Sequence, residues 1–204
     1  MKQLIEKVLD ALTDAGLVEV EVSARHVHLT QEDLERLFGK GAKLHPKRPL
    51  SQPGQFLSEE RVTIRGPKGE KTRVAVLGPV RKVTQVELSR SDCVALVVKA
   101  PIRESGDVKG SAPMTIVGPE GTIEISEGTI IAHNHIHVPE ETAKRLRLAD
   151  KERVSVRVLT DRPVVFEDVI IRVSDRFTFK MHVDFDEANA AEVSGFTLGQ
   201  IIRH

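Results

Sequence analysis

Five of the eight histidines fall in two tight groups, His26/His28 and His133/His135/His137. On an extended strand, residues two apart point the same way, so each His-x-His pair puts two imidazoles on one face. Imidazole nitrogen is a preferred ligand of zinc and related divalent metals. One pair alone is a weak signal, since solvated strand-end or satisfied core histidines account for it more readily. Two pairs in matching contexts argue for metal, although a duplication can also preserve a purely structural role.

The contexts do match. His26-Val-His-Leu-Thr-Gln-Glu-Asp-Leu-Glu-Arg-Leu37 agrees with His135-Ile-His-Val-Pro-Glu-Glu-Thr-Ala-Lys-Arg-Leu146 at both histidines, at a Glu and at the closing Arg-Leu. Farther on, Glu60-Arg-Val-Thr-Ile-Arg65 is echoed by Glu152-Arg-Val-Ser-Val-Arg157. Two echoes in the same order imply an internal duplication of roughly 90 to 110 residues.

A catalytic zinc usually takes three protein ligands, and the repeat indicates where the third lies. Glu87 stands 27 residues past Glu60, and His182 stands 30 past Glu152. Each also reads as an ordinary surface residue; His182 sits on the polar face of a stretch whose other face is Phe177, Phe179, Met181, Val183 and Phe185. Arginine is the natural partner for an anion because its planar fork binds phosphate oxygens in pairs. If Glu87 is a ligand, Arg81 is six residues before it and shares its strand face at even spacing. His133 has no counterpart in the first half and is expected to be supporting or neutral. His45 and His204 look peripheral. Cys93 leads into Val94-Ala95-Leu96 and is expected to be a buried structural thiol.

Local patterns predict the elements that carry these residues. Leu4, Ile5, Val8, Leu9 and Leu12 have helical spacing and Gly16 stops the run. Alternation from Val18 to Val22 predicts a strand leading into the first pair. Thr30 caps a helix over 31–38, with Asp33 in its first turn and Gly39 just beyond its end. Pro139 opens the corresponding second helix. The turn-rich stretch 43–55 reads as a functional loop, with short strands following through Val98 and a further loop over 103–113. Short strands and turns after each helix predict a mainly β chain of two small barrels or sandwiches capped by short α-helices. The expected division is an N-terminal amphipathic helix over 1–17, a first half over 18–115 and a second over 116–204, with strand exchange between halves left open.

Composition narrows the classes. Thirty basic and thirty acidic residues cancel, leaving no broad positive field for nucleic acid. Neither Trp nor Tyr is present to stack on single strands. No apolar run approaches the roughly 20 residues a membrane helix needs, and no secretory leader is evident. One cysteine excludes an internal disulfide. A cytoplasmic protein with no membrane or nucleic-acid partner is expected, and a homo-oligomer stays open.

Taken together, Ser23-Ala-Arg-His-Val-His-Leu29, Pro49-Leu-Ser-Gln-Pro-Gly-Gln-Phe56, Gly78-Pro-Val-Arg81, Thr84-Gln-Val-Glu-Leu-Ser89, Ser105-Gly-Asp107, His135-Ile-His137 and Met181-His-Val-Asp-Phe-Asp-Glu-Ala-Asn189 resemble the PduL-type phosphotransacylases, the phosphate propanoyltransferase family. The resemblance runs from about Val18 to Phe196. It implies two β-barrels capped by short helices, with two zinc ions per chain between them. His26, His28 and Glu87 would serve one zinc, and His135, His137 and His182 the other. Arg81 matches the family's phosphate-binding arginine. The family usually has Arg before the second His-x-His; this chain has Asn134.

The implied reaction is reversible transfer of an acetyl or propanoyl group between coenzyme A and phosphate, without an acyl-enzyme. On this reading the loop 51–56 lines the CoA pocket. A dinuclear metallohydrolase and a non-catalytic metal-binding or shell-associated protein are the alternatives. For the N-terminal helix, packing on the first barrel is the expectation; targeting to the lumen of a bacterial microcompartment is the other reading.

Overall fold

The computed structural model describes residues 1–203, so the expectation for His204 lies outside the described residues. In chain order the elements are α1 (Lys2–Asp14), β1 (Leu17–Val22), β2 (His26–His28), α2 (Gln31–Phe38), β3 (Pro46–Pro49), β4 (Phe56–Arg65) and β5 (Glu70–Gly78). They continue with β6 (Gln85–Glu87), α3 (Arg90–Leu96), β7 (Ile102–Arg103), β8 (Ala112–Val117), β9 (Thr122–Ala132) and β10 (His135–Val138). The last are α4 (Glu140–Leu146), β11 (Arg153–Val158), β12 (Val165–Val173), β13 (Lys180–Val183), α5 (Phe185–Ala190) and β14 (Thr197–Ile202). No described helix is long and apolar enough to cross a membrane.

The chain forms two compact units, residues 24–133 and residues 1–23 with 134–204. Each is a closed six-stranded barrel with short helices, as the sequence predicts. In the first, strands run β4-β5-β2-β6-β9-β8 and β8 pairs back to β4. In the second the ring is β1-β13-β10-β12-β11-β14. Closure leaves no open edge in either ring, which removes the commonest route to strand-mediated aggregation.

The two rings share one pairing scheme. β2 lies parallel to β5 and antiparallel to β6, just as β10 lies parallel to β12 and antiparallel to β13. β9 is parallel to β6, as β1 is to β13. Strands before the His-x-His pairs therefore change places. β1 precedes β2 in the chain but closes the barrel of β10, while β9 precedes β10 but closes the barrel of β2. The division differs accordingly from halves at 18–115 and 116–204. The ladder Val20↔Met181 with Val20↔Thr197 carries β1 into the second unit, and β8 and β9 pairing with β4 and β6 keeps 116–133 in the first.

Val, Ile and Leu fill both interiors. Val27 and Ile136, the central residues of the two His-x-His strands, are fully buried in the respective cores. Strand alternation then turns both histidines of each pair to the opposite face, and a slip of one residue would turn them into the apolar core instead. Thr30 accepts a hydrogen bond from the Asp33 N–H and caps α2, whose Leu34 and Leu37 are buried. Where the 118–121 turn meets the end of α2, the Glu120 N–H donates to the Leu37 carbonyl. Only glycine fits at 118, since a Cβ there would lie 2.4 Å from that oxygen.

Three local expectations are corrected. Residues 90–96 form α3 instead of strand, because Ser89 caps the segment by accepting from the Asp92 N–H. Phe185 opens α5 and so cannot extend the β13 face; an Asp184–Glu187 capping box starts the helix there. The region 43–55 contains β3, an exposed edge strand on which Pro46 and Pro49 are tolerated.

The N-terminal helix does not cover its apolar face on a barrel. Leu4, Ile5, Val8 and Leu9 are 50–66% exposed, and α1 belongs to the second unit. Its polar side is what holds it: Arg145 on α4 pairs with Asp10 at 3.1 Å and Asp14 at 2.9 Å.

Candidate functional site

Register sets the first site. In the β2·β6 ladder His26 is directly opposite Glu87 and His28 opposite Gln85. The ligand atoms of His26, His28 and Glu87 lie within 4.8 Å of one another, and all three residues are buried. His26 Nδ1–H donates to the Ala24 carbonyl at 2.8 Å and His28 Nδ1–H to the Leu77 carbonyl at 3.3 Å. Because a carbonyl only accepts, the neutral form of each imidazole keeps its proton on Nδ1 and presents a basic Nε2, the usual arrangement of a metal-ligating histidine.

Electrostatics make the same point. Burial alone would raise the Glu87 pKa, but the charge and hydrogen bond of His26, then His28 and the Ser105 hydroxyl, hold it far below the carboxylate range. Burial would likewise lower His26, and Glu87 overrides it to give a net rise. His28 is driven well below its ordinary value by burial, by His26 and by Arg81. A buried carboxylate beside two imidazoles, one held neutral, is a donor set that suits a divalent cation. On donor chemistry the residues fit zinc.

The second site repeats the register. His135 is opposite His182 in β10·β13. Ring centroids are 4.7 Å apart for His135–His137, 5.3 Å for His135–His182 and 4.9 Å for His137–His182. Burial, then His135, His182 and Arg172, pull the His137 pKa down to about 2. Its Nδ1 is buried with no hydrogen-bond partner, an arrangement that is costly unless something ligates it. Among the described residues only the first trio brings its ligand atoms within 4.8 Å; the second converges as rings. Glu21, across β1·β13 from His182, comes within 3.8 Å of its Nδ1.

Arg81 reaches the first site by a route that spacing did not predict. It lies in the loop between β5 and β6, so it shares no strand face with Glu87. The Arg81 Nη1 donates to Ser105 Oγ at 3.0 Å, and Ser105 donates to Glu87 Oε1 at 2.8 Å. Gln85 Nε2 donates to the same carboxylate oxygen at 2.5 Å, while its own Oε1 accepts the Gly106 N–H at 2.8 Å.

Sequence spacing assigns no role to Ser105, Gln85 or Arg172. The pairing of Glu87 with His26 is the signal that identifies Gln85 as the neighbour of His28. Arg172 lies across β10·β12 from His137, and its guanidinium is 5.9 Å from the Phe177 ring.

The remaining residues stand apart. His133 precedes β10, falls in the first unit and gives its backbone N–H to the Arg103 carbonyl. His45 is exposed and pairs with Glu60 at 2.7 Å. Cys93 is 1% exposed within the first core.

A family model for phosphate propanoyltransferase matches residues 19–194. A phosphate propanoyltransferase of Clostridioides difficile is 45% identical over 203 residues, covering 100% of this chain and 97% of that protein. One from Leptotrichia buccalis is 47% identical over 199 residues, with 98% and 92% covered. Another, from Lachnoclostridium phytofermentans, is 52% identical over 186 residues, with 91% and 85% covered. A twin-barrel fold carrying this site is thus that of an acyltransferase. The chain belongs to the phosphate propanoyltransferase family.

Proposed function

We propose that this enzyme reversibly transfers a short acyl group, acetyl or propanoyl, between the sulfur of coenzyme A and inorganic phosphate. A phosphate oxygen attacks the thioester carbonyl carbon, the C–S bond breaks, and CoA departs as its thiolate; the reverse reaction restores acyl-CoA and phosphate. The observation that carries the proposal is the hydrogen-bonded chain Arg81–Ser105–Glu87, which sets an anion-binding fork beside the first donor trio.

Arg81 holds phosphate, and Ser105 fixes the fork while sharing the charge on Glu87. His26, His28 and Glu87 would hold one metal ion, and His135, His137 and His182 a second. Zinc bound there would supply Lewis acidity to the thioester carbonyl and stabilise the thiolate leaving group. Burial of Cys93 in the core supports direct transfer over an acyl-enzyme on that thiol. Phe56, whose ring packs against Gly78 so closely that a Cβ there would fall 2.1 Å from it, fixes the end of the 51–56 loop that we assign to the CoA pocket. The exposed apolar stripe of α1 supports a location signal for a bacterial microcompartment lumen.

The test is metal content per chain together with CoA release from acetyl- and propanoyl-CoA, with and without phosphate. Two zinc per chain and phosphate-dependent release support the reading. Release that ignores phosphate would make the enzyme a thioester hydrolase and sink it.

A further inference from the structure

Each donor trio is flanked by the same tether built from different residues. Arg25 immediately precedes the first His-x-His pair, and its Nε donates to Asp92 Oδ2 at 2.7 Å. Asn134 immediately precedes the second pair, and its Nδ2 donates to Glu187 Oε1 at 2.7 Å. Asp92 lies five residues past Glu87, and Glu187 five residues past His182. Both carboxylates occupy the third position of the helix that follows, behind the caps Ser89 and Asp184.

Their settings differ. Asp92 is 2% exposed and also faces Lys71 Nζ at 3.4 Å, so the first tether is ionic, with a buried carboxylate and a half-buried arginine. Glu187 is held by the capping box, where it accepts the Asp184 N–H at 2.9 Å; its partner is a neutral amide.

The tether has a mechanical consequence. β2 and β6 are three residues long and β10 and β13 four, so few ladder bonds fix how each pair of strands meets. Yet the opposition of His26 to Glu87 and of His135 to His182 depends wholly on that register. A side-chain bond from the residue before the first donor to the helix after the third closes the end of each short ladder.

We propose that Asp92 and Glu187 are positioning residues, one for each donor trio, acting through Arg25 and Asn134 to fix where the first and third donors converge. The proposal rests on the metal reading above. Outer partners of metal ligands typically change affinity by about 10- to 100-fold when lost.

The experiment is zinc titration of the full chain against a chromophoric chelator, alongside thermal midpoints of the zinc-stripped protein. In a His137→Ala background, which leaves the first trio alone, Asp92→Asn is expected to weaken binding about 10- to 100-fold. In a His28→Ala background, Glu187→Gln is expected to do the same at the second trio. The double change Arg25→Asn with Asp92→Glu transplants the second tether into the first half, and it should restore affinity that Asp92→Asn loses. If the variants lower the midpoint of the stripped protein but bind zinc within twofold of their backgrounds, the tethers are merely structural and the proposal falls. A native chain that binds no zinc overturns the metal reading, and this one with it. Should Asp92→Asn not fold, Glu187→Gln and the transplanted tether decide the matter.

Discussion

Glu87 faces His26 across an antiparallel ladder with its Oε2 3.4 Å from the imidazole Nε2, and His182 holds the same place against His135. The duplicated fold thus offers a carboxylate once and an imidazole once at one structural position. Glu87→His would make the first trio like the second, and Glu87→Gln removes its charge while keeping its shape. We expect Glu87→Gln to lose about one zinc per chain and at least about 100-fold in turnover. Glu87→His is expected to retain both metals. Elemental analysis with steady-state rates checks this; a Glu87→Gln enzyme with full metal and full rate would remove Glu87 from the site.

Arg81 is separable from the proposed metal ligands because its hydrogen bond goes to Ser105, which in turn donates to Glu87. Arg81→Lys keeps the charge but loses the planar fork. The expected result is a phosphate KM raised on the order of 10-fold, with KM for acyl-CoA and zinc content unchanged. Ser105→Ala should raise phosphate KM less and also reduce kcat, since it touches Glu87 as well. Equal rises in KM for both substrates would mean that Arg81 serves folding and not phosphate.

Much of this was legible because it is local or repeated. Thr30, Asp33 and Gly39 sit at fixed offsets and marked α2 correctly. The two His-x-His pairs and their echoes led to Glu87 and His182 without any knowledge of pairing. α3 and α5 were missed because helices of seven and six residues are too short to display a 3.6-residue period; the caps Ser89 and Asp184 were the available signal. The exchange of β1 and β9 was not decidable from the chain, since alternation from Val18 to Val22 identifies a strand but not the strands it joins. Arg81 was associated with Glu87 by an argument about strand faces that its loop does not satisfy.

Acid should destabilise the metal-stripped protein. His28 and His137 both have folded pKa values below the ordinary 6.5, so below about pH 6.5 the unfolded chain binds protons that the folded chain refuses. Stability therefore falls as pH drops through that point, and for His137 the loss continues towards pH 2. His26, with a raised value, acts oppositely, its contribution fading as pH rises above about 6.5. Two lowered histidines against one raised one give a net loss on acidification, at most about 1.4 kcal/mol per pH unit from His137. Urea midpoints at pH 7.5 and 5.5 measure it, and His137→Gln should flatten the difference. Bound zinc should raise both midpoints, because a ligand held only by the folded state stabilises it.

Removal of residues 1–14 separates the roles of α1. Its large apolar residues Leu4, Ile5, Val8 and Leu9 are more than half exposed or close to it, so deletion uncovers little of the barrel. What is lost is chiefly the pairing of Arg145 with Asp10 and Asp14, and exposed pairs of this kind contribute about 0–1 kcal/mol each. The truncated enzyme is therefore expected to melt within a few degrees of the full chain and to keep its turnover and zinc content. In cells that form microcompartments, the same deletion should move the enzyme from the particulate to the supernatant fraction. A large fall in melting temperature would show instead that α1 is part of the second unit's core support, and an unchanged particulate fraction would end the targeting reading.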